Sequence, residues 1–452
     1  MTKLIIGVYL FLMLIIGIKS LKRIKSIEAF FVALRKGSTP FVTGSLVATI
    51  IGGSSTIGMA GLGFKNGISG AWWLLVGSIG LIILAFSIAK KVQKEKVYTL
   101  PELLEKQYDS KVKFAASIII VSAWMGIIAG QIIAAGKILS LLFPTDASTL
   151  MITATFVFII YTMLGGQISI LRTDTIQAII LIFAIIITTP LAIKAAGGIS
   201  GIQKAYGMIN PFSFPTGGEI NYSYIFTLLF LVGSSYLVGP DIYSRLFCAK
   251  DKKVARNSIF FTALLLIPIA FFITIIGITA KAIAPNIAAE QSFPMIVTKV
   301  IPTGLNGLIL VGLLSAVMSS ADTCLLTSSV IITEDLLGCV IKKENEKITL
   351  FISRLMILII GSIALIISLK MGGVIKTLLL GYTVYSAGLV APAFLGFYKK
   401  RLRLNSSGAT ASIVGGGGLS LFLKLYHPIP LAGLISMGVG IILLFLISWI
   451  KK

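Results

Sequence analysis

The sequence predicts an all-α polytopic membrane protein, and three observations predict it: an excess of apolar residues, their grouping into long uncharged runs, and a lopsided distribution of basic charge. Hydrophobic residues make up 56% and charged residues 12% of the 452, with a mean hydropathy of +1.00, whereas soluble domains run nearer a quarter charged. That much apolar surface does not fit inside a water-soluble shell. The runs are about 20 residues long, enough for a helix to cross a ~30 Å hydrocarbon core. Only helices and closed barrels can do that. Stretches such as 118–133 and 355–369 are apolar almost throughout and lack the alternation of a barrel strand.

About thirteen transmembrane helices are expected, centred near residues 4–18, 41–61, 71–89, 114–140, 150–164, 173–193, 223–240, 258–280, 304–330, 350–369, 374–397, 408–424 and 430–450. With the N-terminus outside, 29 of the 39 Lys and Arg fall in inner segments, among them Lys22, Arg23, Lys25, Lys342, Lys343 and Lys452. Nine fall in outer segments and Lys137 lies within a span. That bias supports an N-out, C-in chain.

The same distribution decides what the net charge of +23 means. It is spread over short loops rather than gathered on one face, which points to anionic lipid and not to nucleic acid. Cys248, Cys324 and Cys339 have no metal-ligand spacing, and His427 is the single histidine, so neither a zinc site nor a disulfide framework is expected. The first span lacks a small-residue cleavage site and is read as a retained helix. The run Gly415 to Gly418 is not followed by Lys-Ser/Thr, so it is no phosphate-binding loop. No enzyme is expected. Without a nucleotide site, transport has to draw on an ion gradient or run downhill.

Two spans look built to break. Ile51-Gly52-Gly53-Ser54-Ser55-Thr56 places small and hydroxyl residues in mid-span, and Gly233-Ser234-Ser235 is followed by Gly239 and Pro240. Broken helices at membrane depth are tolerated where the freed backbone lines a cavity or is buried in protein, and corresponding breaks in two halves point to a midplane site between inverted repeats. Such residues also simply let helices pack closely. The halves are five spans each, which forces the second copy to be inverted. The divisions are therefore 1–40 (first helix and inner loop), 41–194 (first repeat), 195–222 (an outer loop), 223–398 (second repeat) and 399–452 (two last helices).

Candidate chemistry lies in these spans. Ser319, Ser320, Asp322 and Thr323 crowd one of them; two serine hydroxyls with three backbone carbonyls suit sodium, a hard cation. Asp174 opens another span and is expected to be functional, unless it pairs with Arg172 or caps its helix. Asp241 and Arg245 read as an interfacial pair or gate. Tyr382, Tyr385 and Ser386 give the eleventh span an aromatic, hydroxyl-bearing face. The segment 98–109, with Thr99 ahead of Pro101 and Glu102, predicts an N-capped helix on the inner surface.

Taken in order, Ser45 to Gly61, Thr173-Asp174-Thr175-Ile176-Gln177, Gly239 to Phe247 and Ala316 to Thr323 resemble the sodium:solute symporter family, over nearly the whole chain from Glu28 to the eleventh span. The resemblance implies a fold similar to that of leucine transporters, with two inverted five-helix repeats. It implies a sodium site from the carbonyls of Ala48, Ile51 and Ala316 and the hydroxyls of Ser319 and Ser320. It implies a second cation or proton site on Asp174, Asp322 and Thr323, although Asp322 stands where the family has a hydroxyl. It places Ser54, Ser55, Thr56, Trp73, Ser235, Tyr236, Tyr382 and Tyr385 near the solute. The expected activity is sodium-coupled import of a small organic solute, such as proline, a carboxylate or a sugar, across the plasma membrane. Its partners are the solute, sodium and lipid, with no nucleic acid and no obligate protein partner inferred. The rivals are proton coupling on the same fold, or a sensor or channel that does not transport; a sensor usually appends a soluble domain, and the sequence closes on Trp449-Ile450-Lys451-Lys452.

Overall fold

The computed structural model describes residues 2–21, 24, 26–338, 346–427, 429 and 431–451. Cys339 and the basic residues Lys22, Arg23, Lys25, Lys342, Lys343 and Lys452, counted above, lie outside the described residues. Among those described there is no β-strand, only the isolated bridges Gly37–Ala249 and Gly217–Ile220.

Among the described residues ten helices are long and apolar enough to cross a membrane. The principal helices are α1 (Thr2–Leu21), α2 (Thr39–Ile50), α3 (Met59–Asn66), α4 (Trp72–Ser87), α5 (Leu100–Gln107), α6 (Ser110–Leu139), α7 (Ala147–Ala195) and α8 (Gly198–Tyr206). They continue with α9 (Tyr222–Leu228), α10 (Pro240–Cys248), α11 (Lys252–Ile283), α12 (Leu305–Val330), α13 (Glu346–Lys370), α14 (Val374–Leu395), α15 (Ser406–Tyr426) and α16 (Ala432–Ile450). The ten do not map one to one on the thirteen expected spans. The runs 150–164 and 173–193 fall in the single element α7, α2 is shorter than a span, and α15 is not among the ten.

At 49 residues α7 would be about 74 Å long if straight, well beyond a ~30 Å core. It turns at Gly166, whose φ 52° and ψ −171° are open to glycine alone, and where a Cβ would meet the Phe30 ring at 2.5 Å. The segment expected as an outer loop carries α8, because Ile202 and Tyr206 bury an apolar face against Ile68 and Ile278. The surface helix predicted on the inner side is α5. Thr99 accepts from the Glu102 amide at 3.0 Å as the N-cap, while Glu102 accepts from the amide of Tyr98, the residue before the cap, at 2.7 Å.

The molecule turns apolar side chains outward, as a bilayer demands, and sets hydroxyls and a few charges among the apolar residues of its core. Phe11, Phe86, Phe156, Phe183, Phe351 and Ile442 are exposed. Every residue of α12 from Ile309 to Val330 is buried, hydroxyls included. This helix packs on α1, α2, α6, α7 and α13 and forms the axis of the fold.

Candidate functional site

Both breaks fall where the glycines and serines stand. α2 ends at Ile50, Ile51 leaves helical geometry with φ −87° and ψ 69°, and a π-helical turn over Ser54–Gly58 leads into α3. Gly52 is required by proximity, since a Cβ there would lie 2.4 Å from Ser320 Oγ. Gln131 of α6 accepts the freed Gly53 amide at 2.8 Å. Ser55 Oγ donates to Ile50 O at 3.0 Å and Thr56 Oγ1 to Gly52 O at 2.9 Å, so these hydroxyls repair the break itself. The second break runs through a π-helical turn at Leu229–Gly233 and a tighter turn at Ser234–Leu237 before Pro240 opens α10.

The first break releases carbonyls that α12 meets. Ser319 Oγ donates to Ala48 O at 2.8 Å and to Ala316 O at 3.0 Å. Ser320 Oγ donates to Thr49 O at 2.6 Å and to Ala316 O at 3.1 Å. Five oxygens from two helices thus share one buried spot. Four of the five residues expected at an ion site are brought together, and Thr49 joins them. Ile51, one step past the helix end, has its amide on Val47 O at 3.0 Å.

Next to that spot lies a charged network. Arg245, fully buried, donates through Nε to Ser45 Oγ at 3.0 Å, through Nη1 to Ser244 Oγ at 3.0 Å, and through Nη2 to Thr49 Oγ1 at 3.1 Å and Asp174 Oδ2 at 2.9 Å. Nη2 also donates to Thr323 Oγ1. Ser45 Oγ donates to the same Asp174 oxygen at 2.5 Å. The partner of Asp174 is therefore Arg245 rather than Arg172, and Arg245 is not paired with Asp241. The fan of guanidinium donors finds acceptors on four helices here, where Asp241 would offer one carboxylate. Thr323 Oγ1 bonds to Ser319 O at 2.7 Å and stands 3.5 Å from Asp322 Oδ1. Asp174 Oδ1 and Asp322 Oδ2 are buried without a hydrogen-bond partner among the described residues.

On the far side of Thr49 is a small enclosed cavity of about 20 Å³, bounded by Thr49, Ile50, Trp124, Ser235, Tyr236, Gly239, Asp241, Ile242, Tyr382 and Tyr385. Ser235, Tyr236, Tyr382 and Tyr385, four of the eight residues expected near a solute, are thus brought together around one cavity. Ser54, Ser55, Thr56 and Trp73 are buried but do not line this space. Sequence reasoning missed Trp124, which meets Tyr385 edge-on at 5.0 Å and 67°, and it set Asp241 aside as a gate. A lone Trp in the apolar run of α6 gives no periodic signal.

Two interrupted helices that meet at a core of buried hydroxyl, carbonyl and carboxylate oxygens define a secondary transporter. The chain belongs to the sodium:solute symporter family, which it matches over residues 30–416. It is 26% identical to the osmoregulated proline transporter OpuE of Bacillus subtilis, over 97% of this chain and 93% of that protein. It is 25% identical to the sodium/proline symporter of Escherichia coli, with 98% and 92% covered, and 25% identical to the sodium/pantothenate symporter of the same organism, with 91% and 89% covered. Among solved structures, a substrate-bound outward-open sodium-coupled sialic acid symporter superposes with a TM-score of 0.82 at 18% identity, covering 99% of this chain and 98% of that one. Mhp1, a nucleobase-cation-symport-1 family transporter in a closed conformation, gives 0.62 at 12% identity, with 92% of each covered. The protein is thus a multi-pass plasma-membrane transporter with sodium as its coupling ion, and not an enzyme.

Proposed function

We propose that this chain imports a small organic solute by alternating access, with sodium held between the end of α2 and the middle of α12. The observation that carries the reading is the convergence of the Ala48, Thr49 and Ala316 carbonyls with the Ser319 and Ser320 hydroxyls. A hard cation sits roughly 2.3–2.6 Å from its oxygens, so sodium replaces the hydroxyl–carbonyl bonds once both serine protons rotate away. Ile51 O completes the set when the break shifts. Sodium then ties the interrupted helix to the second repeat and favours the state in which the solute cavity is formed. A ligand shifts such an equilibrium only by its difference in affinity between states.

The reading takes 41–194 and 223–398 as the inverted halves, flanked by 1–40, 195–222 and 399–452, in a thirteen-span N-out, C-in arrangement. An inside-negative potential then adds about 2.3 kcal/mol per charge per 100 mV to import. Asp174, Asp322 and Thr323 form the second coupling site in this scheme. Asp174 is already matched by Arg245, whereas Asp322 Oδ2 is a buried acceptor without a donor. That orphan oxygen favours a proton or a second cation at Asp322 and is the ground for the alternative of proton coupling.

The test is uptake of labelled solutes into proteoliposomes with and without an inward sodium gradient, comparing wild type with Ser319→Ala plus Ser320→Ala. Sodium-driven accumulation that the double variant abolishes is the expected result. Accumulation that ignores sodium and follows a proton gradient would move coupling to Asp322.

A further inference from the structure

The solute cavity contains a charge that sodium coupling does not use. Asp241 begins α10 directly after Pro240 and lines that space. Gly239 leaves room for it, since a Cβ there would lie 2.7 Å from Asp241 Oδ1. Among the described residues no basic nitrogen lies within 4.0 Å of this carboxylate, because Arg245, one turn on, is turned to Asp174 at 2.9 Å. A carboxylate away from bulk water needs a counter-charge. Four aromatic residues, Trp124, Tyr236, Tyr382 and Tyr385, share the wall with Thr49, Ile50, Ser235, Gly239 and Ile242, and aromatic faces attract cations. A positively charged nitrogen on an organic solute meets both requirements.

A second observation restricts that nitrogen's bearer. A wider cavity of about 680 Å³ lies between the end of α6 and the segment 287–299, and Lys65, Lys137, Lys299 and Glu290 are its charged lining. Lys137 is paired with Glu290, while among the described residues Lys65 and Lys299 have no carboxylate within 4.0 Å. In the N-out orientation this is the outer mouth, and its two lysines without a carboxylate partner attract the acidic group of a solute.

We infer that the solute is a zwitterion, an amino or imino acid or a betaine, whose positive nitrogen pairs with Asp241 inside the aromatic wall and whose acidic group is drawn in by the outer lysines. The inference rests on the symporter reading and names the substrate class of its cavity. At about 20 Å³ the cavity is closed around its own side chains, so the solute enters when the mouth opens.

The test is sodium-driven uptake by the full chain in proteoliposomes of labelled proline, alanine, glycine betaine, choline, glucose and pantothenate, alongside the sodium-dependent rise in Tm. Uptake of at least one zwitterion is expected. Asp241→Asn is expected to raise the KM for it roughly 10- to 100-fold, the worth of a charge-assisted hydrogen bond. Asp241→Glu should recover part of that loss, and both variants should keep the sodium-dependent rise in Tm. Uptake of only choline, glucose or pantothenate, or of no zwitterion in the panel, overturns the inference if sodium still stabilises the protein. So does an unchanged KM in Asp241→Asn. If sodium raises the Tm of neither wild type nor variant, the symporter reading fails instead, and this inference with it.

Discussion

Arg245 binds side chains of α2, α7 and α12 and its own neighbour Ser244 through a guanidinium with no exposed surface. Losing one member of a buried ion pair leaves the other uncompensated and costs about 3–5 kcal/mol. Arg245→Gln and Asp174→Asn are each expected to lower the unfolding temperature of the purified protein sharply, and the double variant by clearly less than their sum, because the pair is one interaction. Additive losses would mean that the two residues act independently. The serine pair was legible in the sequence because adjacent hydroxyls in an apolar span are conspicuous. The pairing was not. Asp174 and Arg245 are 71 residues apart, and each has a closer opposite charge in sequence, Arg172 and Asp241, that suggests itself first. Only the tertiary arrangement decides between partners, and by taking Arg245 to Asp174 it leaves Asp241 facing the cavity. Thr49 was likewise invisible, since one threonine before a break says nothing of its three tasks: its carbonyl on Ser320, its hydroxyl between Arg245 and Thr323, and a face on the cavity.

At the level of elements, the breaks were readable because glycines followed directly by several hydroxyls stand together in mid-span, while span boundaries were not. The sequence separates 150–164 from 173–193 by a short polar stretch, yet helical geometry runs up to Gly166 and resumes directly after it in α7. Hydropathy cannot see a turn made by a single residue. Gly166→Ala puts a Cβ into a backbone region that costs about 1–3 kcal/mol for other residues, and against Phe30 as well. A loss of that size in unfolding free energy is expected, and Gly197→Ala, which also has positive φ but whose Cβ would approach nothing nearer than 3.4 Å, is expected to lose less. The start of α7 carries a pH dependence. Asp146 accepts from the Thr149 amide at 2.9 Å and from its hydroxyl at 2.7 Å, and these bonds hold its carboxyl below the usual carboxylate range. A depressed value means the cap contributes fully above the unfolded value near 3.9 and is lost as pH falls through the lower folded value. Amide protection in the first turn of α7 should therefore drop below about pH 4 in wild type and stay level in Asp146→Asn, which caps without titrating.

Across the whole molecule, two separate faces are latched by buried or half-buried ion pairs. On the face with Lys65 and Lys299, Glu290 pairs with Lys137 and accepts from the Val374 amide at 3.2 Å, joining the segment before α12 to α6 and α14. On the opposite face Arg35 donates to Phe247 O at 3.2 Å, Lys96 O at 3.1 Å and Val97 O at 3.2 Å, pairs with Glu28 at 3.3 Å and lies over the Tyr98 ring. Its segment is held in an unfavourable form, with Ala33, Leu34 and Arg35 at φ 50°, 56° and 51°. Left-handed geometry costs such residues about 1–2 kcal/mol each. The Arg35 contacts oppose that strain, so losing them should favour release. Cys248 reports on it, because it is fully buried behind this latch and its carbonyl accepts from the Gly37 amide at 2.9 Å. In a chain with Cys324 and Cys339 replaced by serine, Arg35→Gln is expected to speed labelling of Cys248 by N-ethylmaleimide several-fold. If sodium binds between α2 and α12 as proposed, it should slow that labelling by holding the two helices together. Labelling that is equally slow in wild type and Arg35→Gln would show that this face opens without releasing this arginine.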